Sequence, residues 1–119
     1  MKIAMPVDSK SMDSVVSISF GRTPYFLFYD TETKETVFMD NPAATSPGGA
    51  GIKAAQMVLD NKADALLVPR CGENAAALIK AASIGIYKTS GSSVVENIKA
   101  FIEEKLPVLN EIHEGFHGN

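Results

Sequence analysis

The chain begins with a short apolar run, Lys2–Val7, closed by Pro6 and Asp8, which reads as a buried first strand. After a serine-rich stretch come two strand-like runs, "TPYFLFYD" and "ETVFMD", separated by the polar "TETK" of a tight turn. This is the pattern of a hairpin. "NPAATSPGG" follows, with two prolines and two glycines, and predicts a loop without regular structure that leads into a helix. Ile52, Ala55 and Leu59 share one face at helical spacing, so the helix is placed at Ala50–Asn61. "ADALLVP" predicts another buried strand, stopped by Pro69. Ala75, Leu78, Ile79 and Ala82 then recur at i, i+3, i+4 and i+7, predicting a second helix that starts near Gly72. "IGIYKT" reads as a last short strand. Ser93 with Glu96 forms a capping-box pair ahead of Val94, Ile98 and Phe101, so a third helix is expected from there to about Lys105. Beyond Pro107 the tail "VLNEIHEGFHGN" lacks a sustained period and is expected to be mostly flexible.

Strands alternating with helices in the second half call for parallel pairing through right-handed crossovers, while the hairpin forces strand two antiparallel to its neighbours. The arrangement that satisfies both is α/β and ribonuclease H-like: a mixed five-stranded sheet in the order 3-2-1-4-5, with three helices. One domain over residues 1–106 and a tail over 107–119 account for the chain. In this topology the loops 8–23, 41–51, 69–74 and 88–93 converge on one rim, at the carboxyl ends of the parallel strands, where such sheets place ligands.

The rim's chemistry suits an anion. Gly48, Gly49 and Gly51 open one helix and Gly72 opens another, so two sets of unpaired backbone N–H groups can point into the same space. Arg22, Lys53 and Arg70 add positive charge nearby. The plain alternative is that these glycines only satisfy tight turns and the cations are solvated.

Composition narrows the classes. At 119 residues, with 45% hydrophobic and 21% charged, the chain has the make-up of one globular domain, and nothing in it is long and apolar enough to span a bilayer. The start "MKIAMPVDSK" has neither a signal-peptide nor a transit-peptide pattern, so a cytoplasmic protein is expected. A single cysteine agrees with a reducing compartment. A net charge of -3 and a pI near 5.3 argue against nucleic acid as a partner.

Cys71 admits two readings. It is either a small buried hydrophobe or a thiolate, lowered in pKa by Arg70 and the following helix terminus, exposed at the rim as a soft-metal ligand. Thiolate catalysis normally needs a histidine base, and the only histidines, His113 and His117, lie in the tail. Their four-residue spacing suits a metal on a helix, but Gly115 between them favours a solvated tail.

"MKIAMPVDS", "FGRTPYFLFYD", "NPAATSPGGAGIKAAQ" and "GENAAALIKAASIGIYKTSGSSVVENIKAF" together resemble the dinitrogenase iron-molybdenum cofactor biosynthesis family, the NifX-like carriers and the related C-terminal domain of NifB. The resemblance covers nearly all of residues 1–106. It implies a ribonuclease H-like fold and a non-enzymatic carrier, connected with nitrogen fixation in part of the family. The implied cargo is an iron-sulfur or molybdenum-containing cluster, or its precursor, held non-covalently between cluster-donor and cluster-acceptor proteins. Such a polyanion would meet N–H donors and arginines at this rim, and its metal would meet Cys71. Members often carry a histidine before the Phe-Gly pair and another ahead of the helix glycines. Here Ser19 and Pro47-Gly48 stand at those places, which widens the cargo to other metal–sulfur clusters. The chain is expected to be a monomer or weak dimer. Two other classes are a non-catalytic regulatory module and a two-magnesium nuclease. Against the nuclease, only Asp8 sits near a required carboxylate position, while the first helix offers Lys53 and Gln56 and strand four ends in Val68, Pro69 and Arg70.

Overall fold

The computed structural model describes residues 1–109. Its strands are β1 (Lys2–Val7), β2 (Tyr25–Asp30), β3 (Thr36–Asp40), β4 (Ala65–Val68) and β5 (Gly85–Lys88); its helices are α1 (Ala50–Asp60), α2 (Glu73–Ala81) and α3 (Val94–Ile102). They form one five-stranded sheet in the order β3-β2-β1-β4-β5. β2 runs antiparallel to both β1 and β3, and β4 is parallel to β1 and to β5. This is the topology that the alternation of elements and the hairpin predict.

Two layers of helix cover the sheet. Ala4, Phe26, Phe28, Leu66, Val68 and Ile86 face α1 and α2, while Ile3, Met5, Leu27, Ala65 and Leu67 face α3. Side-chain alternation along each strand sends neighbours to opposite faces, so the central strands are apolar throughout. The α1–α2 seam is built from small residues: Ala54, Ala55, Ala75 and Ala76 are all buried. Short side chains let the two helix axes come close. Their N-termini therefore sit side by side at the rim.

Three features depart from the sequence expectation. The stretch 41–49 is not wholly irregular, because Pro42–Thr45 forms a short 3-10 turn. Pro42 supplies a preset φ where no N–H is needed, and the Asn41 side chain accepts from the Ala43 amide at 3.1 Å. α3 stops at Ile102 rather than near Lys105, since Glu104 takes a left-handed φ of 57° and the Lys105 amide turns back to the Ala100 carbonyl at 2.8 Å. Finally, the chain stays packed on the sheet through Leu109. The Lys88 amide donates to Pro107, the Leu109 amide donates to Ile86, and Leu106 and Leu109 are buried. The remainder of the expected flexible tail, with His113 and His117, lies outside the described residues. Among the described residues, no helix is long and apolar enough to cross a membrane.

Candidate functional site

An open groove of about 780 Å³ runs along the rim, lined by residues 18–22, 49–52 and 70–75. Three of the four loops expected at the rim thus meet in one cavity. The fourth, 88–93, is tied to the first loop instead, through the Val16 amide to the Ser92 carbonyl at 2.8 Å and a Val15–Ser93 bridge. It serves α3, which packs on the other face of the sheet.

Helix starts dominate the groove. Ser93 caps α3 by accepting from the Glu96 amide, whereas α1 and α2 begin at Gly49 and Gly72 with no side-chain cap. The first intrahelical bonds are Lys53 to Gly49 in α1 and Ala76 to Gly72 in α2. That leaves the amides of Ala50, Gly51, Ile52, Glu73, Asn74 and Ala75 without an intrachain acceptor among the described residues, and every one of these residues lines the groove. Gly49 makes the entry to α1 possible, with a left-handed φ of 67°.

The cations divide by role. Arg70 is exposed at the groove. Arg22 lines it too, but its guanidinium donates to the Ala44 and Ser46 carbonyls at 3.3 and 2.8 Å, so it fastens the 41–49 loop. Lys53 and Gly48 stand outside the lining: the Lys53 ammonium donates to Ser46 Oγ at 2.7 Å, and that hydroxyl donates to the Gly48 carbonyl at 2.7 Å. Sequence proximity brought them to the loop, not to the cavity. Glu73, at the first position of α2, supplies the groove's opposing negative charge.

Cys71 overturns the expectation of an exposed, low-pKa thiolate. It reaches the groove lining but is only 2% exposed, packed in the core with Phe20, Ala54 and Ala75. Burial pushes the thiol up to about 11, weakly opposed by Lys80. Neither Arg70 nor the helix terminus offsets the lost hydration, because the chain turns the two side chains apart, Arg70 outward and Cys71 inward.

Sequence reasoning missed the residues that hold the walls together. Gly21 packs against the start of α1, where a Cβ on it would lie 2.9 Å from the Gly51 amide nitrogen. Buried Asn41 donates to the Gly21 and Thr23 carbonyls at 3.0 and 2.9 Å. Ile18, 77% exposed, and Ile52 form an apolar lip. The Phe20-Gly21 pair was visible as a family pattern; the reach of Asn41 across the chain was not.

Comparison with known proteins identifies the family. Residues 1–104 match the family described as dinitrogenase iron-molybdenum cofactor. The uncharacterized protein MJ0580 of Methanocaldococcus jannaschii is 31% identical over 109 residues, covering 89% of each chain. The apo form of the orange protein from Desulfovibrio gigas superposes with a TM-score of 0.88 at 29% identity, covering 95% of this chain and 96% of that one. A NifB-like protein of Thermotoga, TM1290, gives 0.82 at 32% identity, covering 96% and 97%. The shared sequence over most of the length, on the same sheet and helices, places this chain in the dinitrogenase iron-molybdenum cofactor family.

Proposed function

We propose that the protein is a small carrier that holds an anionic metal–sulfur cluster, iron-sulfur or molybdenum-containing, in the rim groove during cofactor assembly or transfer. The observation that carries this reading is the pair of uncapped helix starts, whose free amides belong to groove-lining residues. Preorganised N–H donors and two helix dipoles favour a polyanion without any change of shape. Arg70 adds an exposed positive charge at the mouth. Residues 1–104 match a family named for a molybdenum cofactor, and a close structural relative was obtained in an apo form, which points to a loaded form of that protein.

Cargo enters by charge and leaves to an acceptor; both a cluster donor and a cluster acceptor are implied as partners. A ligand role for Cys71 requires the metal to displace a proton from a buried thiol, so the hold comes first from backbone amides and guanidinium. Gly48 and Lys53 act one step back, by shaping the loop before α1.

Anaerobic reconstitution tests the reading. The protein is mixed with iron and sulfide, or with tetrathiomolybdate, then desalted. Visible absorption and metal co-eluting with the protein are expected. Colour and metal left wholly in the small-molecule fraction, under both conditions, would defeat it.

A further inference from the structure

We propose that Asn97, buried in α3 and outside the groove lining, is a positioning residue for the cargo: through the 88–93 loop it fixes the spacing of two groove walls. The role rests on the groove being the cargo site. It is distinct from the hold of Asn41 on the 41–49 loop.

α3 lays Val94 and Ile98 on the core cluster of Ile3, Met5 and Leu27, and Asn97 stands between them at 1% exposure. An apolar residue would serve that packing. An amide there is costly unless its polar atoms are all paired. They are paired with the loop before the helix: Oδ1 accepts from the Ser90 amide at 2.7 Å, and Nδ2 donates to the Gly91 and Ser93 carbonyls at 3.2 and 2.8 Å. Capping does not account for these bonds, since Ser93 already caps α3 through the Glu96 amide. Among the described residues, the Ser90 amide and the Gly91 carbonyl have no other partner. The shape of the loop therefore depends on this one side chain.

The loop is fastened at both ends to segments that lead into the groove. At its start the Thr89 amide donates at 3.0 Å to the carbonyl of Val68, the last residue of β4 and two positions before Arg70. At its end the Ser92 carbonyl accepts from the Val16 amide at 2.8 Å, and Ser93 bridges Val15, just ahead of Ile18 and Ser19. Ile18, Ser19 and Arg70 all line the groove. Gly91, with a left-handed φ of 69°, lets the chain turn between the two attachments. Asn41 secures Gly21 and Thr23 on the other side, so the hold of the 88–93 loop falls on residues 15–19 and on the exit of β4. Cargo held by fixed backbone amides and an arginine depends on the spacing of those donors. Slackening the loop should therefore appear as faster loss of cargo.

The full chain is examined first without cargo and then reconstituted as above. Without cargo, Asn97→Ala should speed amide exchange at Ser90, Val16 and Thr89 and shift the amide resonances of Ile18, Ser19 and Arg70, leaving those of Ala50 and Gly51 in place. After reconstitution it should lower the metal retained per chain at least about threefold. Ile98→Ala is the control for stability: it removes apolar contacts from the same helix, makes no change to the loop's bonds, and should lower the urea midpoint at least as far while retaining metal as the parent does. Gly91→Ala disturbs the same loop from the solvent side, where its Cβ meets nothing within 4 Å but the left-handed φ is strained, and should act in the same direction if Asn97→Ala does not fold. A parent that retains neither cargo overturns the carrier reading and this role with it. A parent that retains cargo overturns the role alone if Asn97→Ala and Gly91→Ala retain it equally well, or if Ile98→Ala loses as much of it.

Discussion

Gly21 and Gly51 meet backbone to backbone: a Cβ built on Gly21 would stand 2.9 Å from the Gly51 amide nitrogen and 3.1 Å from its Cα. The contact joins the first loop to the first turn of α1 and sets one wall of the groove. No flexible side chain is present to give way, so Gly21→Ala must push the wall off the helix. It is expected to cost about 1–3 kcal/mol in denaturant unfolding and to lower cluster retention after desalting. Gly51→Ala is the contrast. Its Cβ would meet only Ala75 Cβ, at an ordinary 3.7 Å, in a helical conformation. Stability there should hold or rise by up to about 1 kcal/mol.

Asn41 fastens the same wall from below. Its amide donates to Gly21 and Thr23, and its carbonyl oxygen accepts from Ala43. Asn41→Ala leaves buried carbonyls unpaired and should destabilise by roughly 2–3 kcal/mol. Asn41→Asp keeps the acceptor for Ala43 but sets a carboxylate against two carbonyls. It should therefore be no better tolerated in thermal unfolding.

The sheet order could be read from the sequence because each strand is an apolar run bounded by polar or proline residues, and each helix shows its own period. The rim followed from that order. What could not be read was direction at the level of a single side chain. Arg70 and Cys71 are adjacent, yet one faces solvent and the other the core, and no spacing rule states which. Arg22 and Lys53 were legible as cations but not as loop fasteners, since their acceptors are carbonyls and a hydroxyl, groups that carry no signal in a charge pattern. Helix ends were equally silent. Lys62, Ser83 and Glu104 follow α1, α2 and α3 with φ of 57°, 63° and 57°, where glycine is the usual marker.

Those helix ends give a prediction free of the site. A left-handed residue with a Cβ costs about 1–2 kcal/mol, of which glycine's extra chain entropy returns a part. Ser83→Gly should raise stability by about 0.5–1 kcal/mol, measured as a higher urea midpoint at unchanged slope. Lys62→Gly should behave alike. A loss at both positions would contradict the account of the turns.

The buried thiol makes stability depend on alkaline pH. Cys71 is held at about 11 in the folded protein against an ordinary value of 9.0, so above pH 9 the unfolded chain releases its proton first. The unfolded state then binds fewer protons than the native state, and stability falls as pH rises from about 9 to 11. The loss is on the order of 2 kcal/mol and should be absent in Cys71→Ala, whose unfolding is to be compared across that range. Alkylation of native Cys71 near neutral pH should be slow and should become fast in denaturant. Rapid native alkylation would restore the exposed thiolate.

Arg70 separates charge at the groove from the integrity of the fold. Its side chain is exposed and makes no ion pair or hydrogen bond among the described residues, so Arg70→Ala should change stability by no more than about 0.5 kcal/mol. Arg22→Ala removes two donations to carbonyls of the loop before α1 and should cost about 1–2 kcal/mol. The two substitutions delete the same charge from the same cavity lining. If cargo is held by its negative charge, Arg70→Ala weakens retention of reconstituted cluster, Arg70→Glu weakens it further, and added salt narrows the gap between parent and variant. The parallel series at Arg22 should lose retention only together with stability. Measuring bound metal per chain beside urea unfolding, for each variant at low and high salt, reads both effects at once. Equal metal retention in the parent and in Arg70→Glu at low salt would leave the exposed arginine without a part in holding the cargo.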